Sequence, residues 1–577
     1  MMRVSPIRRA GQWLGTGAMA LACLSQAQAG TPHPAAPADV LYVNGTIRTM
    51  EAPDAVAEAV AIRDGRIVAV GTSKAMRSHR GAQTQVVDLH GRTMLPGFID
   101  AHGHLSGVAA QADSANLASP PVSKVTDIAA LQQALRDHIQ ARGIPPGAWV
   151  RGWGYDDATL AEHRHPTRQE LDAVSTDRPI LLTHASGHLA VANTKALEMA
   201  GLLHDAVNPP GGVIRREADG RTASGVLEET AFFPVAALVP RPTLDQRVAA
   251  LGQAQRIYAS YGITTAQDGA ISPDDYAALQ EAARRKALTI DVGALLFFRA
   301  PWENLDALSI GSGYQDHLRI LGIKLMLDGS PQGRTAWLSE PYHHAPEGLP
   351  ASYHGYAQVK DEDLRTWIAR AADHDWQIFV HVNGDQAMQQ LLDQIAAVDA
   401  ARPKPVERTI AIHSQIVTSA QLERMKALDV QPSFFVAHTF YWGDWHRQIT
   451  LGEPRAERIS PLAEALAIGL VPTTHNDAPV VPPDVMRLVW SSVVRKTRSG
   501  FVLGPQERVS PYEALAMVTR NAAWQIHEEA DKGTITPGKA ADLVVLDQDP
   551  LKVDADAIEH IRIVRTLKDG RVVFEAP

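Results

Sequence analysis

Thr93-Met-Leu-Pro-Gly-Phe-Ile-Asp-Ala-His-Gly-His104 is a short apolar run that ends abruptly in two histidines separated by one glycine. In an extended chain residues i and i+2 point to the same side, so His102 and His104 are placed to present two imidazoles to one ion. Gly103 lets the backbone come close, and imidazole suits zinc and its neighbours. Taken alone, the same pattern describes two histidines in a polar loop. The rest of the chain decides between the two readings.

Downstream of this stretch, strands alternate with helices, the pattern of a parallel sheet with crossover helices. With the first strand ending at Asp100, further strands are expected at 263–267, 289–296, 318–327, 376–382, 408–413, 429–435 and 469–474. Helices are expected at 244–261, 273–286, 361–375, 386–398, 419–428, 461–468 and 482–494. That makes eight strands. Eight parallel strands close into a (β/α)8 TIM barrel, in which chemistry sits at the carboxyl ends of the strands. Between the first strand and the first of these helices lies a stretch rich in Pro, Gly and aromatic residues, read as an irregular, substrate-facing insertion at 105–242.

Upstream, Val40-Leu-Tyr-Val43, Ala59-Val-Ala-Ile-Arg63 and Arg66-Ile-Val-Ala-Val70 read as a small antiparallel sheet, the last two strands joined at the hairpin signature Asp64-Gly65. The far end repeats the pattern in Asp542-Leu-Val-Val-Leu-Asp547, Ile561-Arg-Ile-Val-Arg565 and Arg571-Val-Val-Phe574 around Asp569-Gly570. Neither set of strands is large enough to bury its own apolar face. One small β-sandwich domain formed by both termini is therefore expected, with halves at 30–92 and 535–577 around a barrel at 93–534.

The chain has 577 residues and a formal net charge of −9, with acidic and basic residues interspersed. Nothing in this suggests a nucleic-acid partner; a small-molecule substrate fits better. Arg3, Arg8 and Arg9, the apolar run from Trp13 to Leu24 and the small-residue site Ala27-Gln28-Ala29 make 1–29 a secretory signal peptide, so a secreted or periplasmic protein beginning at Gly30 is expected. No later segment offers the roughly 18 uninterrupted apolar residues of a membrane span, and association with a membrane is not expected after cleavage. A homo-oligomer is compatible with the sequence. The one cysteine, Cys23, lies inside the signal, which leaves His, Lys and carboxylates as the ligands for any metal.

Polar residues recur at the strand ends: His102 and His104, Lys324 in Gly-Ile-Lys-Leu-Met-Leu-Asp-Gly-Ser, His381 in Phe-Val-His-Val-Asn-Gly-Asp, His413 in Ala-Ile-His-Ser and Asp477 in Thr-His-Asn-Asp-Ala-Pro. Any one of these reads as readily as a hydrogen-bonded core residue. Five strands ending this way in one barrel do not.

This ordered set resembles the metal-dependent amidohydrolase superfamily. Asp328-Gly329-Ser330, Gly384-Asp385 and Asn476-Asp477-Ala478-Pro479 look like its amidohydrolase family 3 branch, which includes N-substituted formamide deformylases. The resemblance extends to Thr536-Pro-Gly-Lys-Ala-Ala-Asp-Leu-Val-Val545. It implies one or two divalent metal ions, zinc above others. His102, His104 and Asp477 would hold one ion, His381 and His413 a second, and carboxylated Lys324 would bridge them. An unmodified Lys324 paired with Asp328, with a single ion, is the other arrangement. Relatives often carry Ser where this chain has Asn476, which leaves the ligand set intact.

The function implied is hydrolysis of a non-peptide C–N bond, in an amide, N-acyl or N-formyl compound, by metal-activated hydroxide with Asp477 as general base and then acid. A cyclic amidase, deaminase or esterase would use the same chemistry. A non-catalytic metal-bearing binding protein would have no need of Asp477. Candidate substrate-binding residues are Trp153, Tyr155 and His188 in the insertion, with Tyr441 and Trp442 facing them. His438 is read as an oxyanion contact or a structural histidine, and Arg334 as a carboxylate-binding or loop-pinning residue.

Overall fold

The computed structural model describes residues 37–111, 114–346 and 348–577; the predicted signal at 1–29 lies outside them. Its centre is an eight-stranded parallel sheet: β1 (Phe98–Ile99), β2 (Ile263–Ile271), β3 (Asp291–Phe297), β4 (Leu318–Met326), β5 (Gln377–Val382), β6 (Thr409–His413), β7 (Val430–Phe434) and β8 (Thr473–Thr474). The strands pair in that order, each with the next. They are buried on both faces, which is why they read as continuous apolar runs. Helices Leu244–Ser260, Pro273–Arg284 and Ser419–Ala427 each begin on a capping box, at Thr243, Ser272 and Thr418. The expected strand at 469–474 shrinks to two residues. Helices Leu105–Gln111, Pro511–Met517 and Arg520–Gln525, unread in the sequence, complete the surround.

The opening stretch serves two sheets. Thr93–Pro96 pairs with Thr46–Arg48 on one side and Leu543–Leu546 on the other, whereas Phe98–Ile99 pairs with β2. The division expected before Thr93 thus falls inside the stretch, at Gly97. A Cβ there would lie 2.4 Å from Oγ1 of Thr264, so only glycine lets the chain pass this close to β2.

Two sheets contain the terminal strands. One is ordered Arg66–Gly71, Ala59–Arg63, Val40–Val43, Gln85–Asp88; the other is ordered Arg571–Glu575, Ile563–Lys568, Leu543–Leu546, Thr93–Pro96, Thr46–Arg48, Val56–Ala57. Tyr42, Val60 and Ile67 from the first share an apolar cluster with Ile47, Met94, Val545 and Leu567 from the second. The N-terminal strands are not purely antiparallel as expected: Val40–Val43 runs parallel to Gln85–Asp88.

The segment read as an irregular excursion is also corrected. It holds its own six-stranded sheet, ordered Gly212–Arg216, Ala223–Glu229, Leu189–Ala192, Ile180–His184, Val150–Tyr155, Ala115–Asn116. Along Ile180–His184, Ile180 and Leu182 enter one core with Leu131 and Leu135, while Leu181 enters another with Leu197 and Ile214. A sheet covered on both faces shows no alternation of polar and apolar residues, which hid these strands among the prolines and glycines.

At the end of the central sheet away from the strand C-termini lies a buried charge cluster. Lys532 Nζ is 2.5 Å from Asp291, 2.6 Å from Glu528 and 3.1 Å from Thr265 Oγ1. Lys568 Nζ is 3.0 Å from both Asp291 and Asp542. These contacts tie the C-terminal strands to β2 and β3.

Candidate metal centre and substrate cavity

All six strand-end residues converge. His102 and His104 follow β1, Lys324 is in β4, His381 in β5, His413 closes β6, and Asp477 lies three residues beyond β8. Ligand atoms of His102, His104 and Asp477 lie within 4.8 Å of one another. Asp477 Oδ1 is 3.2 Å from His104 Nε2 and 3.5 Å from His102 Nε2, and its Oδ2 is 4.0 Å from His413 Nε2. His413 Nε2 is 3.1 Å from His381 Nδ1, and Lys324 Nζ is 2.9 Å from His102 Nε2. Asp477 and His413 hold left-handed backbone, with φ of 54° and 75°. Non-glycine residues keep such angles only where their surroundings over-determine them, often at functional sites.

The electrostatics favour a cation. Burial pushes His102, His381 and His413 well below the usual histidine range, so these rings are neutral. Burial alone would raise Asp477, yet the carboxyl is held well below its ordinary value by the histidines around it, His413, His104 and His102, of which His104 is raised in turn by Asp477 and carries the charge. Burial brings Lys324 down to about 7.

Tautomers are pinned as well. His104 Nδ1 lies 2.8 Å from the Gly269 carbonyl and His381 Nε2 lies 3.1 Å from the Gly329 carbonyl. A carbonyl only accepts, so each of these nitrogens carries a proton. On His104 the hydrogen bond and charge of Asp477 outweigh burial and raise the ring, whereas burial leaves His381 neutral, with its lone pair on Nδ1. Buried neutral rings at His102, His381 and His413 set around the Asp477 carboxylate fit a divalent ion.

The centre opens into a cavity of about 660 Å³. One wall is apolar, with Trp153, Phe232, Ile271, Phe297, Met326 and Val480. Of the predicted substrate residues, Trp153 and His188 line it. His188 donates from Nδ1 to Glu229 at 2.9 Å and sets its ring 5.1 Å from that of His381. His438 instead borders a small recess of about 20 Å³ shared with His381, His413 and Asp477.

The other four predicted residues line neither the cavity nor the recess. Tyr155 is fully buried, its hydroxyl 3.2 Å from His165 Nδ1 and its ring against His184. Arg334 lies over Trp445 and donates to the His344 carbonyl. Tyr441 packs between Phe440 and Arg498. Trp442 sits behind His438, with ring centroids 4.4 Å apart, and donates to Asp156.

Other lining residues were not read from the sequence. Arg299 and Gln358 border the cavity and bond to each other, and Glu229 and Asp268 add carboxylates. Arg299 follows β3 by two residues, so the strand-end rule pointed at it.

Asp156, Asp157 and His184 form a second buried group with metal-like spacing. Here His184 Nε2 faces Asp157 at 3.2 Å and Asp156 at 3.4 Å, and the two carboxylates outweigh burial and raise the ring to about 9. Kept protonated by its neighbours, this ring belongs to an ion-paired cluster.

Several known proteins are similar to this chain in sequence or in fold. N-substituted formamide deformylase of Arthrobacter pascens is 28% identical over 549 residues, covering 93% of this chain and 98% of its own. Protein LONG AFTER FAR-RED 3 of Arabidopsis thaliana is 28% identical over 531 residues, 89% of this chain and 88% of its own. A solved structure of an uncharacterized metal-dependent hydrolase from Pyrococcus furiosus superimposes with a TM-score of 0.69 at 27% identity, covering 89% of this chain and all of that one. One from Pyrococcus horikoshii gives 0.70 at 25%, covering 90% and 99%. With the amidohydrolase family matched over residues 85–574, from the last strand of the N-terminal sheet to the last strand of the chain, this protein belongs to the amidohydrolase family.

Proposed function

We propose that the protein is a metal-dependent hydrolase that cleaves a non-peptide C–N bond in an N-acyl or N-formyl amide of a small, largely apolar molecule. The observation that carries this is the meeting, at one cavity, of the buried neutral imidazoles of His102, His381 and His413, a buried lysine and Asp477. His102, His104 and Asp477 would hold one zinc ion and His381 and His413 another. Bound there, the metal supplies Lewis acidity toward the substrate carbonyl and toward the attacking water.

The remaining steps belong to the chain. Asp477 takes a proton from the attacking water as the new C–O bond forms, and delivers it to the nitrogen as the C–N bond breaks, releasing a carboxylic acid and an amine. Ile271, Phe297, Met326 and Val480 give the apolar wall on which the nitrogen substituent rests. His188, held by Glu229, faces the reacting group from the insertion.

Lys324 is the bridging candidate. Burial brings its amine to the neutral form near pH 7, and a neutral amine adds to CO2 with loss of one proton. The resulting carbamate is an anion able to contact two dications. Lys324→Ala is expected to lose most activity, with partial return on adding short carboxylic acids that stand in for the carbamate. Full rate with two ions retained would remove the bridging role.

The reading takes the central sheet as a closed (β/α)8 barrel and the two terminal sheets as a sandwich. Gln525 supports closure, donating to the Ala101 carbonyl at 2.7 Å and accepting from Thr473 Oγ1 at 2.5 Å. So does the His104 N–H, 2.7 Å from the Ala478 carbonyl.

The test is elemental analysis of the purified protein together with turnover of a panel of N-acyl amines, lactams and esters. One to two equivalents of divalent metal, and turnover of the open-chain amides above the rest, are expected. A metal-free yet active protein, or cleavage of esters or lactams alone, would overturn the proposal.

A further inference from the structure

For His104 and His381 the pinning partner is a main-chain carbonyl, which leaves no choice of tautomer. His413 differs. Its Nδ1 lies 3.0 Å from Nε2 of His475, and Nδ1 of His475 lies 2.9 Å from Oγ of Ser433. All three residues are buried, so no solvent competes for these contacts. Ser433 comes from β7 and His413 from β6, while His475 directly follows β8. The row therefore crosses three neighbouring strands.

Each imidazole can donate or accept, so the row has two directions. In one, Ser433 donates to His475 and His475 donates to His413 Nδ1. The proton of His413 then sits on Nε2, the atom facing His381 and Asp477, and the ring has no lone pair to offer there. In the other direction His413 Nδ1–H donates to His475, and His475 Nδ1–H donates to Ser433. That leaves His413 Nε2 free to bind an ion. The ring of His475 is held for this role by its neighbours: centroids of His413, Phe435 and His102 lie 5.1, 5.3 and 5.4 Å away.

We propose that His475 and Ser433 form a relay that holds His413 in its ligand tautomer, making His475 a positioning residue for the ion bound by His381 and His413. The relay rests on the metal-centre reading above. It acts on one ligand only, so its loss weakens the ion at His413 and spares the ion at His102, His104 and Asp477. A residue that merely fills space would lower stability and leave the two ions alike.

The experiment strips the full-length protein of metal, measures the thermal midpoint of the apoprotein, and titrates Zn²⁺ back against a chromophoric chelator. His475→Phe fills the space without an acceptor; His475→Gln keeps an acceptor oxygen; Ser433→Ala removes the terminal acceptor. For His475→Phe we expect one class of ion to bind about 10- to 100-fold more weakly, with the apo midpoint near wild type. His475→Gln should recover most of that affinity, and Ser433→Ala should lose a smaller part of it. If His475→Phe does not fold, His475→Gln and Ser433→Ala carry the comparison.

Wild-type affinity at both ions in the variants that fold overturns the relay alone. So does a fall in affinity that only tracks a fall in apo midpoint. A wild-type apoprotein that takes up no Zn²⁺ overturns the metal-centre reading, and the relay with it.

Discussion

Asp477→Asn is expected to lower kcat by about two orders of magnitude or more, roughly the worth of a positioned general base, while fold and metal content stay near wild type. One oxygen of Asp477 faces His102 and His104, and the other faces His413. Asn keeps the shape and one acceptor oxygen for the ion but has no basic carboxylate to take a proton from water. The backbone favours this choice of variant, since Asp477 is left-handed and Asn is among the residues that tolerate that region best. Thermal midpoint, metal content and kcat are to be read on one preparation. A stable, metal-loaded Asn variant with the wild-type rate would remove Asp477 from the chemistry. Lost stability with an unchanged rate per folded molecule would make it a structural residue.

Lys532→Met should produce the largest loss of stability. Lys532 is buried against Asp291 and Glu528, and Met keeps its volume while removing the charge. Asp291 would retain Lys568 at 3.0 Å and His317 at 2.7 Å, whereas Glu528 would lose one of its two cations and retain Arg319 at 2.7 Å. Removing one partner of a buried ion pair costs about 3 to 5 kcal/mol because the other is left uncompensated. The cluster sits at the opposite end of the central sheet from the metal centre, so kcat per folded, metal-loaded molecule should not change. The thermal midpoint should fall clearly, and the double variant Lys532→Met, Glu528→Gln should regain part of the loss. A single variant as stable as wild type would show that solvent or rearrangement compensates the charges.

Much of the cluster of polar side chains at the candidate centre was legible because of how a doubly covered parallel sheet is written. Each strand is an apolar run, so a polar residue at its end stands out, and His102, His104, Lys324, His381, His413 and Asp477 were all found this way. The same rule failed in the insertion: its strands are interrupted by proline- and glycine-rich turns, and among its described helices only Ile128–Arg142 has the length that made the central pattern visible. Aromatic clusters misled for a different reason. Trp153 and Tyr155 are two residues apart in one strand, yet one lines the cavity and the other is sealed in the core, and composition does not separate those fates. His475 lay in plain view beside Asn476 and Asp477, but its meaning depends on contacts with β6 and β7 that no local spacing encodes.

The shared strand at Thr93–Pro96 bears on how the protein is made. Its Met94 pairs with Ile47 on one side and Val545 on the other, so the segment leading into His102 and His104 keeps an open edge until Leu543–Leu546 is present to pair with it. Pairings between such distant residues close late and slowly. A nascent or truncated chain lacking Leu543–Leu546 would hold the first two imidazoles on a half-paired, aggregation-prone strand. Placement of His102 and His104 therefore depends on pairing with a strand far downstream in the sequence.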